Sequence, residues 1–539
     1  MANTLVQTPT DNSFPLPGSL EELATFKRLQ ERMPALFDKV ANNRLAEHTS
    51  VIVPSMTLHE EELLKLKGAA FYEERLLYLL MLLRRPRTRL VFITSQRLHP
   101  SVIDYYLHLL TGVPAAHARR RLILIETNDS SNTPLTQKLL DRPILMERIR
   151  RSIVDRNNAH LVCFNTTPLE RTLAVQLGIP LYGLDPDLLD LGTKSGCRQI
   201  FREAEIPMPA GIENLHTQDD IAEALMDLWE ERPQMRKAVV KLNDGFSGEG
   251  NAIFRFEPLM NVKNASRATR KAAISTRLET SLEFVAPTEI WENFATKFLS
   301  MGGICEEFVE GEVKQSPSVQ CRVNAVGEPQ VISTHDQLLG GLSGQVYLGC
   351  TFPANPSYRA KIQEYGEKIA AILAKKGVIG RFAIDFVLVQ KGDDWDYYAI
   401  EINLRKGGTT HPFLMMKFLT DGGYDPSTGM FITSSGRPKY YLASDNLSAP
   451  HYRGITPDEL IDIAVYHDLH FHSATERGVV FHLIGAMSQF GKVGVTCIGN
   501  SPEDAQELYQ SILRVLDEEL KEHKWEDRLN YSSIYLNNV

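Results

Sequence analysis

No two of the six cysteines (163, 197, 305, 321, 350 and 497) form a CxxC pair, and they are scattered over 539 residues. Such scatter argues for reduced thiols and against a zinc site or a disulfide framework. No apolar run reaches the ~18 residues that a membrane span needs. The run LLYLLMLL, Leu76 to Leu83, is too short and is flanked by charge. The N-terminal stretch MANTLVQTPTDNSFPLPGS is polar and lacks the basic-then-apolar pattern of a signal peptide, so a loose tail and a cytoplasmic protein are expected. Net positive charge is also missing: the balance is -9, which argues against nucleic acid as a partner. No GxGxxG follows the first β-rich run, no GK[ST] closes a glycine-rich loop, and no Ser/His/Asp or Cys/His constellation stands out. What remains is a long chain, 43% hydrophobic, that can bury substantial cores in two to four domains.

After a helical segment over about 20–43, the runs Val51 to Met56, Arg89 to Ser95, Leu122 to Asp129 and Leu161 to Thr167 are short and β-rich. Helical stretches separate them at Glu61 to Leu83, Pro100 to Thr111 and Pro134 to Asn157. Strands alternating with helices predict a parallel sheet covered on its faces, a Rossmann-like layer. Arginine runs at 84–89, 118–121 and 148–151 suit a solvated helix face or, alternatively, an acidic ligand.

Lys194 then heads a helix that stops before Pro207 and Pro209. The helix dipole disfavours a cation there, so an anion is one reason for its presence and simple exposure of the ammonium is the other. In AVVKLNDGFSGEGNAIF (238–254), a β run carrying Lys241 meets a loop with Gly245, Gly248 and Gly250, then a second apolar run. This reads as a hairpin whose glycines turn backbone amides toward an anion, with Ser247 adding a hydroxyl. Residues 262–300 show helical tendency and no further signal. In the segment that follows, two strand-like pieces flank Glu310 and Gly311, and the backbone of Glu307, Phe308 and Val309 offers an edge to a flat ring; a plain edge strand is the alternative.

The stretch 380–411, GRFAIDFVLVQKGDDWDYYAIEINLRKGGTTH, carries the strongest pattern. Phe382, Ile384, Phe386 and Leu388 alternate with Arg381, Ala383, Asp385 and Val387, and Tyr398, Ile400, Ile402 and Leu404 with Ala399, Glu401, Asn403 and Arg405. An antiparallel hairpin is expected with Asp385 opposite Glu401, Val387 opposite Ala399 and a turn over 390–396. Each buried apolar side chain contributes roughly 1.5 to 3 kcal/mol and pins that register. Two carboxylates about 4 Å apart repel by about 4 kcal/mol at an effective dielectric of about 20, so the shared face calls for a cation. Arginine serves, or Mg²⁺ held with the Asn403 amide oxygen, while cross-strand ion pairs on an ordinary surface are the alternative.

The tail opens a helix with a capping box, Thr456, Pro457 and Glu459, and repeats the start at Ser501 and Pro502. Paired strands lie between, giving a small α+β unit. His467, His470, His472 and His482 invite a metal reading, against which stand their alternation near strands and the absence of partner cysteines.

Taken together, Lys194, Lys241 with its glycine-loop hairpin, EEFVEG (306–311), the Asp385 strand and EINLR (401–405) occur in the order and approximate spacing of the ATP-grasp superfamily, which the chain resembles. The EINLRKGGTTHP form is similar to its peptide-ligase branch, the pheganomycin-type ligases, and the resemblance covers nearly the whole chain. It implies an α/β and α+β fold: a Rossmann-like pre-ATP-grasp domain over 1–190, an ATP-grasp core of two α+β subdomains over 191–445 with the glycine-loop subdomain at about 237–312, and a C-terminal α+β domain over 446–539. It implies a carboxylate-amine ligase that makes an acyl phosphate from ATP and couples it to an amine, releasing ADP and phosphate. Lys194 and Lys241 would hold the phosphates, the loop with Ser247, Gly248 and Gly250 would close over them, and Glu306 with the backbone of Glu307, Phe308 and Val309 would meet adenine. Asp385, Glu401 and Asn403 would carry Mg²⁺, and Arg405 would face the acyl phosphate. Asp385 stands where many members have glutamate. His335, Asp336 and His411 are candidates for a general base. Expected partners are a small-molecule carboxylate and an amine acceptor, each an amino acid or peptide, with no nucleic acid, no membrane, and a homo-oligomer allowed. An ATP-grasp phosphotransferase and a nucleotide-binding regulator without turnover are the alternative functions.

Overall fold

Apolar runs of two periods settle into three sheets in a computed structural model of the chain, which describes residues 14–58, 63, 68–245, 250–286, 288–340 and 346–521. The strands β1 (His48–Val53), β2 (Thr88–Thr94), β3 (Leu122–Glu126) and β4 (Ala159–Cys163) form the expected parallel sheet, in the order β3-β2-β1-β4. Alternate residues feed opposite cores, as the pleat requires. Val51, Val53, Val91 and Ile93 pack with Phe26 and Leu173 on one face. Ile52, Leu90 and Phe92 on the other join a core that runs on into Phe481 and Ile512 near the end of the chain. The described part of the helical stretch expected at 61–83 is a 3₁₀ helix, Ala69–Arg84, lying in that second core.

A second, antiparallel sheet contains β5 (Gly211–Leu215), β6 (Lys237–Leu242), β7 (Asn251–Arg255), β8 (Glu283–Phe284) and β9 (Gly303–Glu307), ordered β5-β9-β6-β7-β8. The stretch 262–300 gains a role here. Its helices Arg267–Ser281 and Trp291–Met301 put Ile274, Leu278, Phe294 and Phe298 against Trp229 and Phe254 to fill this subdomain's core.

The third sheet has eleven strands: β10 (Lys314–Gln315), β11 (Pro317–Val323), β12 (Pro329–Gly340), β13 (Val346–Phe352), β14 (Gly380–Lys391), β15 (Asp394–Asn403), β16 (Gly423–Asp425), β17 (Met430–Ile432), β18 (Pro438–Ser448), β19 (Gly478–His482) and β20 (Lys492–Gly499). The β19 and β20 strands of the C-terminal segment pair with each other and, through β18, extend this sheet. Among the described residues no helix is long and apolar enough to cross a membrane.

The β14–β15 hairpin keeps Asp385 opposite Glu401, and departs from the sequence reading on either side of that pair. Phe386, not Val387, meets Ala399, and the turn is Gly392 and Asp393 alone, with Lys391 paired to Asp394. The cause is a β-bulge: Ile400 is the extra residue between Ala399 and Glu401, and a bulge re-aims the side chains that follow it. Ala399 and Ile402 thus both reach the core, while Ile400, expected inside, faces the adjoining cleft.

Candidate active site

Between the five-stranded and eleven-stranded sheets lies a cleft of about 910 Å³, large enough for a nucleotide with a second ligand. Its apolar lining comes from Pro209, Val239, Leu242, Phe308, Val309 and Ile400. Its charged and polar lining includes Lys194, Asp385, Glu401, Asn403 and Arg405.

Lys194 is placed by its helix, Lys194–Glu203. Thr193 caps that helix, accepting from Gly196 N at 3.0 Å, and the first turn is docked on the end of β6. Asn243 accepts Lys194 N at 3.0 Å through its carbonyl, and Ser195 N at 3.0 Å and Ser195 Oγ at 2.7 Å through its side chain. The Lys194 ammonium therefore points across the cleft and pairs with Glu401. Burial opposes the charge on each, yet the pair overrides it, raising the Lys194 pKa and lowering that of Glu401. Beside Glu401, Asp385 accepts from Gln337 Nε2 at 2.7 Å and from Asn403 Nδ2 at 2.9 Å. Burial, then the Glu401 charge, push its carboxyl up to about 6. Two carboxylates and an amide, all hard oxygen donors whose mutual repulsion Lys194 and Arg405 offset in part, fit a divalent cation of the magnesium class. Burial lowers the Arg405 pKa against the pull of Glu401 and Asp385.

Lys241 is held differently. Its ammonium pairs with Glu306, which is 3% exposed and also receives Arg198 Nη1 at 3.2 Å. Arg198 in turn bonds Pro209 O and Gly211 O, both at 2.9 Å, and pairs with Glu213 at 3.1 Å. Glu306, expected to meet a base, has its carboxylate committed to two cations. β9 runs close against β6, where a Cβ on Gly303 would stand 2.3 Å from Lys241 O. The Glu307 and Phe308 amides are spent on Ala210 O at 2.8 Å and Lys237 O at 3.2 Å.

The structure brings Lys194, Lys241, Gly250, Glu306 to Val309, Asp385, Glu401, Asn403 and Arg405 to one cleft. Ser247 and Gly248 lie outside the described residues. His335 and Asp336 are not brought to it. His335 is fully buried between Phe352 and Tyr441, its Nε2 2.6 Å from Tyr441 Oη, and burial lowers its pKa to about 3. Asp336 points to the opposite sheet face, accepting from Tyr358 Oη at 2.7 Å and Asn355 N at 2.9 Å. Strand alternation gives their neighbour Gln337 to the cleft instead. His411 is buried, 2.9 Å from His482 Nε2. Of the other histidines singled out, His470 and His472 form a surface group with Asp468, and His467 pairs with Glu519 at 2.8 Å. Sequence reasoning missed Tyr72, Arg75, Asp445, Asn446 and Lys492, which line the cleft from remote segments. Only the period-two alternation through His335 held a signal, and that was for Gln337.

A sheet pair gripping a cleft with paired lysines at one wall and adjacent carboxylates at the other defines a nucleotide-clamping enzyme of the ATP-grasp class. A family model described as IQCH-like, ATP-grasp matches residues 188–283 and 278–427, and one described as PGM1 C-terminal domain matches 459–512. The L-propargylglycine–L-glutamate ligase of Streptantibioticus cattleyicolor is 30% identical over 465 residues, 85% of this chain and 92% of that protein. The biotin carboxylase domain of 2-oxoglutarate carboxylase from Hydrogenobacter thermophilus shares the fold with a TM-score of 0.52 at 13% identity, covering 86% of this chain and 89% of that one. Biotin carboxylase from Campylobacter jejuni does so at 0.50 and 12%, with the same coverage. The chain belongs to the ATP-grasp carboxylate-amine ligases, and it is an ATP-dependent enzyme that forms C–N bonds.

Proposed function

We propose that this ligase joins two amino acids, or an amino acid and a peptide, through an acyl phosphate, and that the cleft residues divide the work as follows. The observation that carries the reading is the juxtaposition of Lys194–Glu401 with Asp385 in a cleft that also has apolar lining. The adenine ring fits against apolar lining residues of the cleft, among them Pro209, Val239 and Phe308. Lys241, steadied by Glu306, and Lys194 hold the phosphates. Asp385, Glu401 and Asn403 are the residues that would hold Mg²⁺, which when bound neutralises phosphate charge and polarises the phosphoryl group. A carboxylate oxygen of the donor attacks the γ-phosphorus, the bond to the β-phosphate oxygen breaks, and ADP leaves. The amine of the acceptor then adds to the acyl carbon, loses a proton, and expels phosphate. Arg405 faces the oxygens on which negative charge develops. No protein nucleophile takes part; positioning and charge neutralisation supply the catalysis. Support for amino-acid substrates comes from the S. cattleyicolor relative, whose name specifies two of them.

The test is a matrix of L-amino acids and dipeptides offered in pairs with MgATP. ADP, phosphate and an amide are expected together; AMP with pyrophosphate contradicts the reading. Glu401→Gln changes charge and hardly changes shape, so turnover should fall about 10²-fold or more. Near-normal activity in that variant removes Glu401 from the site.

A further inference from the structure

One corner of the cleft carries positive charge that the nucleotide clamp does not use. Tyr72 and Arg75 come from the 3₁₀ helix Ala69–Arg84, Asp445 and Asn446 from β18, and Lys492 from the first position of β20; all line the cleft. The Arg75 guanidinium carbon stands 4.1 Å from the Tyr72 ring centroid. The Lys492 ammonium is 5.1 Å from the same centroid and 2.9 Å from Tyr72 Oη. A ring face attracts a cation, worth about 0.5–1 kcal/mol at exposed sites, and here it has two to serve.

The local charge does not balance. Arg75 pairs with Asp445, and Asp445 is shared with His482 Nε2 at 2.7 Å. Arg75 Nε is buried and finds no acceptor among the described residues. Lys492 has no carboxylate within ion-pair distance among the described residues, whereas Lys194 and Lys241 each have one. Among the side chains of this corner that line the cleft, two cations stand against one carboxylate, an excess of positive charge that matches a single carboxylate better than a polyphosphate that Asp445 would repel. The corner is also rigidly backed. Next to Arg75, the buried Glu74 accepts from Gly485 N at 3.1 Å, and behind Asp445 the His482 ring contacts His411 at 2.9 Å. Tyr72, Arg75 and Lys492 line the same cleft as Arg405 and the paired carboxylates.

We infer that Lys492, Arg75 and Tyr72 bind a free carboxylate of an amino-acid substrate, one that is not itself activated. This rests on the ligase reading above and names what its substrates share: a second, unreacted carboxylate, carried by the donor or by the acceptor.

The experiment uses Lys492→Met, which keeps length without charge, and Lys492→Arg as the conservative variant. Steady-state kinetics are measured with the best amino-acid pair and with the carboxamide of each partner. Lys492→Met should raise KM for one amino acid about 10- to 100-fold, leave KM for ATP within about twofold, and regain most of the loss in Lys492→Arg. Wild type should penalise the carboxamide of that partner by a similar factor, and Lys492→Met should no longer tell acid from amide. The partner whose KM moves identifies the bearer, donor or acceptor. A rise in KM for ATP instead, an unchanged KM for both amino acids, or a retained preference for the free acid overturns the assignment. Absence of ADP release by wild type with every pair is the separate failure of the ligase reading. In that event thermal-shift titration with the twenty L-amino acids and their amides decides: a shift by free acids that Lys492→Met abolishes upholds the corner, and none overturns it.

Discussion

Glu306 shows how one buried residue sets a charge pattern. Its carboxylate is shared by Lys241 and Arg198, all three nearly out of solvent. Removing one partner of such a set leaves charge buried and unpaired, at about 3–5 kcal/mol. Glu306→Ala should therefore lower the unfolding free energy by that amount, with a fall in the urea midpoint, and raise KM for ATP, because Lys241 loses its seat; an unchanged midpoint would refute the description. At this scale the sequence was most readable where local chemistry forced a choice. Lys194 stood out because the helix dipole opposes it, and Asp385 and Glu401 because strand period put them on one face. Glu306 was readable as a cleft residue while its two ion pairs were not, since nothing local shows that Arg198 and Lys241 converge on it. His335 and Asp336 were each candidates for a general base, but adjacent strand residues point to opposite faces, and each found a partner away from the cleft.

At the scale of elements, the β14–β15 hairpin was legible in existence, pairing and the Asp385–Glu401 contact, while the bulge was not. Period-two reading assumes unbroken alternation, and the extra residue at Ile400 breaks it without any glycine to announce it. The consequence separates two isoleucines that look equivalent on paper. Ile402 is 1% exposed in a packed core, so Ile402→Ala should cost about 2–5 kcal/mol in a denaturant titration. Ile400 lines the cleft, and Ile400→Ala should instead raise KM for ATP several-fold with a stability change under about 1.5 kcal/mol. Equal destabilisation by the two would place both in the core. The glycine-loop hairpin was equally plain, because β6 and β7 flank a run of turn residues. Residues 262–300 were opaque: their helices cover a sheet whose strands come from either side in the sequence.

Across the whole molecule, the front and back of the chain share one core, and contacts such as Tyr72 with Lys492 lie 420 positions apart. No local pattern encodes such a meeting, which is why the corner of the cleft formed by Tyr72, Arg75 and Lys492 could not be read from the sequence while the Rossmann-like layer could. Glu74 marks this junction by accepting from Gly485 N. Burial, opposed by that N–H and aided by Glu73, pushes its carboxyl up to about 7 from an ordinary 4.5. Its stability contribution is intact below pH 4.5, where both folded and unfolded forms hold the proton. Between about 4.5 and 7 the unfolded form ionises first, so stability falls by roughly 3 kcal/mol and then levels. Glu74→Gln carries no charge to bury and should lessen that decline between about pH 5 and 7, the remainder belonging to Glu73, which burial pushes up to about 7 as well; an unchanged slope would contradict it. The central claim for the whole assembly is that the cleft makes an acyl phosphate. The direct measurement is turnover with a donor whose carboxylate is labelled with ¹⁸O, followed by mass spectrometry of the released phosphate. The account predicts one ¹⁸O atom carried from carboxylate to inorganic phosphate with each amide formed, and unlabelled phosphate, or label appearing in AMP, would contradict it.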